Sequence, residues 1–480
     1  MLGKIRKIHF VGIGGIGMSG IAEVLLNLGY SVSGSDLKHT PITERLAKLG
    51  ARVSEGHAAE NLREAEVVVT STAVAADNPE VREAKRRQIP VIPRAEMLAE
   101  LMRLKFSVAV AGAHGKTTVA SMIAVMLAEA RLDPTAVIGG RLDVFGSSAR
   151  LGKGDLMVVE ADESDRSFLL LLPAIAVVTN IDREHLDHYR DLDEILAAFR
   201  AFVNKTPFYG AVVACTDAPW GERFRRLMPK IRRRVITYGL EAGAEVSAES
   251  VELNPTGSAF EVAVRGKKLG RCLLHVPGRH NVQNALATIA VGLELDLRMD
   301  QIRAGLARFQ GVDRRFQIKA EWNGITVVDD YGHHPEEIRT VLAAARLRGA
   351  RRIWAIFQPH RYTRTKFLMD DFARCFDGCE RVYVLDIYAA NEPPIPDITS
   401  PRLVERMREL GMESARYAPS DQAVIQEVLA EARPGDIILT VGAGSVWKVG
   451  EALGEALRKP ARKEDLASTP AATSSWRPTT

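Results

Sequence analysis

The heptapeptide Gly112-Ala113-His114-Gly115-Lys116-Thr117-Thr118 contains the residue types that chemistry on a phosphate needs. It follows an apolar run, Phe106 to Ala111, and opens a helical run from Thr118 to Ala130. A glycine-rich turn between strand and helix lets successive backbone N–H groups point inward at phosphate oxygens. Lys116 would reach the terminal phosphates, and the Thr117 hydroxyl would hold a magnesium ion. The spacing is a shortened one, with the first glycine three residues before the second and Val110 in the ordinary place. A plain strand-to-helix turn with a solvated lysine is the alternative. The strand before and the helix after favour a triphosphate.

Five other clusters have chemistry of their own. Gly12-Ile13-Gly14-Gly15-Ile16-Gly17 is a G-x-G-x-x-G after a strand, and Asp36 lies 19 residues past Gly17. That pattern suits a diphosphate on a helix N-terminus with an acid on a ribose, without saying which nucleotide. Leu156 to Glu160 is an apolar strand ending in a carboxylate, fit to hold the metal of a phosphate cradle. His185, 25 residues on, can serve a second divalent ion or position a substrate. Asp329-Asp330-Tyr331-Gly332-His333-His334-Pro335 follows a strand. Adjacent loop histidines rarely chelate one metal, so nucleotide contacts or a positioning role suit them better. In Gln358 to Thr365, Arg361 and Arg364 stand three apart around His360 and can clamp a carboxylate or phosphate. A helix dipole disfavours cations at its start, which points to an anionic ligand there.

Alternating strands and helices must position these groups, as in parallel α/β domains. At 480 residues about three domains are expected. We expect divisions at 1–104, 105–312 and 313–458, with a disordered Pro/Ala/Ser/Thr-rich tail at 459–480. Hairpins are expected around Arg265-Gly266-Lys267 and Asn323-Gly324. The net charge of +4 makes no case for nucleic acid. No run approaches the ~18–20 apolar residues of a membrane span, and no signal-type segment opens the chain, so a cytoplasmic protein is expected. The four cysteines suit reduced thiols; Cys375 and Cys379, four apart in a helical-looking stretch, lack the second pair of a zinc site. Whether the chain is a monomer or a homodimer stays open.

Two nucleotide-type turns and an arginine-bearing third unit suggest joining rather than hydrolysis: a carboxylate phosphorylated by ATP becomes an acyl phosphate that an amine can attack. The stretches His9 to Ser19, Gly112 to Thr118, Glu160 to Phe168, Thr179 to Tyr189, His280 to Ala285, Asp329 to Pro335 and Phe357 to Thr365 resemble the ATP-dependent Mur ligases of peptidoglycan synthesis. Within that family they are most similar to the members that add L-alanine to UDP-N-acetylmuramate.

The resemblance implies a Rossmann-like N-terminal domain, a P-loop ATPase central domain and a Rossmann-like C-terminal domain. It implies UDP-sugar contacts at Gly14, Gly15, Ser35, Asp36, His57 and Ser71. ATP would lie on Gly112 to Thr118 with Asn281 and Asp330, and magnesium or manganese on Thr117, Glu160 and His185. His333, His360, Arg361 and Arg364 would reach the muramoyl carboxylate or the alanine. Several ligases of the wider family carry a carbamylated lysine about 15 residues after the metal histidine, a support for a hard cation. Arg200 stands there instead. Alternatives are a recycling ligase that attaches a whole tripeptide, an NAD-dependent dehydrogenase or a P-loop regulator. The last two leave whole clusters without a task.

Overall fold

The computed structural model describes residues 4–71, 73–142, 147–184, 188–390 and 392–458. His185 and the tail 459–480 lie outside the described residues. Three β-sheets follow one another along the chain. The first has five parallel strands in the order Arg52–Glu55, Ser31–Asp36, Lys7–Val11, Val67–Thr70, Val91–Pro93. Val11 pairs with Ser35, so the chain leaving the first strand turns beside the end of the second. Gly12 N–H and Ile13 N–H both donate to the Ser35 carbonyl, at 2.8 and 2.9 Å.

The second sheet has ten strands. Five parallel ones form its centre, in the order Arg234–Gly239, Ala211–Cys215, Ile175–Val178, Phe106–Ala111, Leu156–Glu160. One edge continues through Val246–Asn254, Gly257–Val264 and Lys267–Leu274, the other through Thr135–Leu142 and Ser147–Arg150. Helix Lys116–Glu129 buries every residue from Val119 to Leu127. A helix apolar on all sides must be enclosed, and this one lies against the sheet and helices Arg279–Glu294 and Met299–Arg308.

The third sheet runs Gln317–Trp322, Ile325–Asp330, Asp436–Val441, Arg352–Phe357, Arg381–Val384, Ala415–Tyr417, parallel except for its first strand. The first two units share one core: Met97, Leu98 and Leu101 of helix Arg94–Met102 belong to the same buried cluster as Phe168, Phe199 and Phe202. The stretch bearing Cys375 and Cys379 is a turn after the short helix Met369–Ala373, not a helix, and all four cysteines are free thiols. Among the described residues no helix is long and apolar enough to cross a membrane.

Candidate active site

Parallel register gathers the phosphate cradle at the C-terminal ends of the second sheet's central strands. Val110 pairs with Glu160 and Ala111 with Val178, so the glycine turn leaves its strand between the acidic strand end and Thr179-Asn180. Gly112 and Gly115 take φ of 137° and 79°, which favour glycine. Lys116 Nζ donates to Gly112 O at 2.6 Å, Ala113 O at 3.2 Å and Glu163 Oε1 at 2.8 Å. Burial disfavours its ammonium, but Glu163 foremost and then Glu160 outweigh this and keep it charged. The Thr117 hydroxyl lies 3.0 Å from both Glu160 oxygens, and Gly139 N–H donates to Glu160 at 2.7 Å. A hydroxyl beside a carboxylate is an oxygen donor set suited to a hard divalent cation. Arg200 sits exposed on helix Leu192–Asn204.

His114 connects the second unit to the third. Its backbone N–H donates to Asn180 Oδ1 at 2.8 Å, and the Thr179 hydroxyl donates to its carbonyl at 2.6 Å. Its ring lies 3.6 Å from Asp182, 3.5 Å from Glu184 and 3.4 Å from Glu337 of helix Pro335–Leu347. Burial disfavours the imidazolium, yet Glu184, Asp182 and Glu337 outweigh it and push the pKa up to about 10. His114, Asp182 and His334 place one ligand atom each within 4.8 Å of the others. The His334 Nδ1 lone pair accepts from Glu336 N–H as a helix cap, and the His114 ring sits among three carboxylates, an ionic seam between the second and third units.

Glu337 accepts from His333 N–H at 2.9 Å, and the His333 ring lies 5.9 Å from that of His360. Arg364 Nη1 donates to His360 Nδ1 at 3.0 Å. Burial, then Arg364 and Arg361, lowers the His360 pKa to about 3, so this ring is neutral. Arg361, with φ of 70°, precedes helix Tyr362–Phe367. The third-unit residues read from the sequence therefore converge, and a line of contacts joins them to the P-loop. Asn281 and Asp330 line a cavity of about 590 Å³ between the two units, together with His114, Asn284, Arg315 and Glu337. Such a volume suits a nucleotide-sized ligand. Asp330 also accepts from Phe316 N–H and Gly332 N–H, both at 2.7 Å, and burial raises its pKa to about 6.

At the first sheet, Gly14, Gly15, Ser35, Asp36 and Ser71 gather at the ends of adjacent strands. Asp36 differs from the simple ribose reading: its carboxylate accepts from Gly14 N–H and Leu37 N–H, each at 2.8 Å, and so also shapes the turn. His57 Nδ1 lies 2.8 Å from the Ser35 hydroxyl. Sequence reasoning missed Glu80, Glu163, Arg315 and Glu337. Glu163 sits in the acid-dense stretch, and Arg315 shortly before the third sheet, where a closer reading of charge near each turn could have found them. Glu80 has no local signal.

Family models match three consecutive segments: "Mur ligase family, catalytic domain" over 7–106, "Mur ligase middle domain" over 110–292 and "Mur ligase, glutamate ligase domain" over 314–444. The chain belongs to the Mur ligase family. It is 57% identical over 459 residues to UDP-N-acetylmuramate–L-alanine ligase of Solibacter usitatus, covering 95% of this Mur ligase and 97% of that protein. The crystal structure of UDP-N-acetylmuramate-alanine ligase from Thermotoga maritima matches with a TM-score of 0.80 at 30% identity, covering 94% and 98% of the two chains. A murein peptide ligase from Psychrobacter arcticus shares the fold, with a TM-score of 0.71 at 24% identity over 95% of this chain and 100% of that one.

Proposed function

We propose that this Mur ligase forms the amide between the carboxylate of UDP-N-acetylmuramate and L-alanine, converting ATP to ADP and phosphate. The carboxylate oxygen attacks the γ-phosphorus and ADP leaves. The alanine nitrogen then attacks the acyl carbon and phosphate leaves. Lys116 binds the phosphates, and the first turn of helix Lys116–Glu129 offers its N–H groups. Thr117, Glu160 and His185 would hold magnesium or manganese, which would supply charge neutralisation at the transferring phosphoryl group. Asn281 and Asp330 face the adenosine. The turn around Gly14 and Gly15, with Ser35, Asp36, His57 and Ser71, holds the UDP moiety. His333, His360, Arg361 and Arg364 hold the reacting carboxylate or the alanine, and closure of residues 313–458 on 105–312 excludes water. The enzyme works in the cytoplasm, where both nucleotides are available.

The line His114–Glu337–His333–His360–Arg364 supports this reading most, because it couples a phosphate cradle to a carboxylate clamp. A hydrolase has no use for that clamp. The test is phosphate release from ATP with UDP-N-acetylmuramate present, comparing free amino acids with the tripeptide. Release dependent on L-alanine is expected. Release that needs the tripeptide would overturn the alanine assignment, and release with neither would overturn the ligase.

A further inference from the structure

The first unit contains a buried ionic anchor that the reaction above does not use. Glu80 is fully buried in the first turn of helix Pro79–Arg86, capped by Asn78. Its Oε2 accepts from the Ser35 hydroxyl at 2.6 Å and lies 3.3 Å from His9 Nε2. Its Oε1 accepts from Asn61 Nδ2 at 2.6 Å and from Ala58 N–H at 3.2 Å. Asn61 also donates to Gly56 O at 3.1 Å. Ala58 and Gly56 belong to the loop Gly56-His57-Ala58, and Ser35 and Asn61 link Glu80 to His57 and Gly56 of the same loop. Burial alone would raise the Glu80 pKa, but the donors outweigh it, so the group is an ionised acceptor.

That ionisation orders the protons beyond it. The only proton on the Ser35 hydroxyl goes to Glu80, so its oxygen must accept from His57 Nδ1, 2.8 Å away. His57 is therefore the Nδ1–H tautomer, and among the described residues its Nε2 has no protein partner. We infer that Glu80 is a positioning residue for the UDP-linked substrate: through Ser35 it fixes the His57 tautomer and leaves Nε2 to meet that substrate. This rests on the proposed UDP site at the glycine turn. The Ser35 backbone carbonyl holds Gly12 and Ile13 while its side chain holds His57, so the turn and the histidine move as one.

The experiment measures UDP binding by calorimetry and His57 protonation by nitrogen NMR in the full chain. Ser35→Ala is expected to weaken UDP binding about tenfold, the loss of one hydrogen bond's worth of order, with ATP affinity unchanged. In that variant His57 should lose its pure Nδ1–H signature. Glu80→Gln should do the same; if it does not fold, Ser35→Ala decides. In a His57→Ala background Ser35→Ala should have little further effect, because Ser35 acts through the ring. An Nε2–H signature in the wild type, or additive losses, would overturn the inference. A wild type that does not bind UDP would instead overturn the site reading on which it rests.

Discussion

His114 of the phosphate cradle lies 3.4 Å from Glu337, the third residue of a helix in another unit. Glu337 also caps that helix, accepting from His333 N–H and His334 N–H at 2.9 and 3.3 Å. Arg315 reaches it at 3.7 Å. One carboxylate therefore reads the cradle, the histidine loop and an arginine beside the nucleotide cavity. A shift of the third unit cannot occur without changing the surroundings of His114.

The pH dependence of stability tests this seam. His114 in the folded chain holds its proton up to about pH 10, against about 6.5 when unfolded. Its contribution is fully present below the unfolded value and is lost as pH rises from about 6.5 to about 10. Thermal melting of wild type and His114→Gln should therefore differ most near pH 6 and converge towards pH 10. A difference that stays constant across that range would mean that His114 does not pair as a cation.

Lys116→Ala should abolish turnover while leaving UDP-N-acetylmuramate binding nearly intact, because its partners Gly112, Ala113 and Glu163 all lie in the second unit. Loss of an electrostatic donor to a transferring group costs on the order of 10²–10³ in rate. The ligand calorimetry matters as much as the rate. If both activities fall together, the cradle and the UDP turn are not separate sites.

The glycine turns, the acidic strand end and the arginine pair were legible because their chemistry is local, set by a few residues around one strand end. Two polar strands were less so. Arg52–Glu55 and Val246–Asn254 are polar and partly exposed, and what makes them strands is pairing with Ser31–Asp36 and Gly257–Val264. Long-range pairing has no signature in a short window. Glu80 was invisible for the same reason: it lies 45 residues from Ser35 and 71 from His9, and only folding brings the three together. Glu337 stands in a helix's first turn, where an acid is ordinary, and its reach to His114 is a property of two units at once.

Gly17 shows how a motif glycine can serve a side chain rather than a phosphate. A methyl added there would stand 2.5 Å from Arg94 Nη1 and 3.2 Å from Arg94 Cδ and Cζ. Arg94 lies 3.5 Å from Asp162, just past Glu160 in the second unit. Gly17→Ala should displace the guanidinium and break that contact, lowering ligase activity as Arg94→Ala should. In an Arg94→Ala background the same change should be stabilising by up to about 1 kcal/mol, the helix preference of alanine over glycine. Melting curves of the four proteins decide it; equal destabilisation in both backgrounds would place the strain elsewhere.

Arg364 allows a prediction about which substrate the clamp holds. Its donation to His360 Nδ1 leaves that ring neutral with its proton on Nε2, so the positive charge at this site belongs to the arginines. Arg364→Lys keeps the charge but loses the planar fork, and one charge-assisted bond is worth about 1.5–3 kcal/mol. If the fork holds the alanine carboxylate, KM for alanine should rise roughly 10- to 150-fold by that figure, with KM for the UDP-sugar nearly unchanged. If it holds the muramoyl carboxylate, the UDP-sugar should lose affinity instead and alanine should not. Initial rates with each substrate varied at saturating ATP separate the two. A fall in kcat alone would mean that the fork acts on the acyl phosphate after both substrates are bound, because only a contact made in the transition state lowers the rate and spares both affinities.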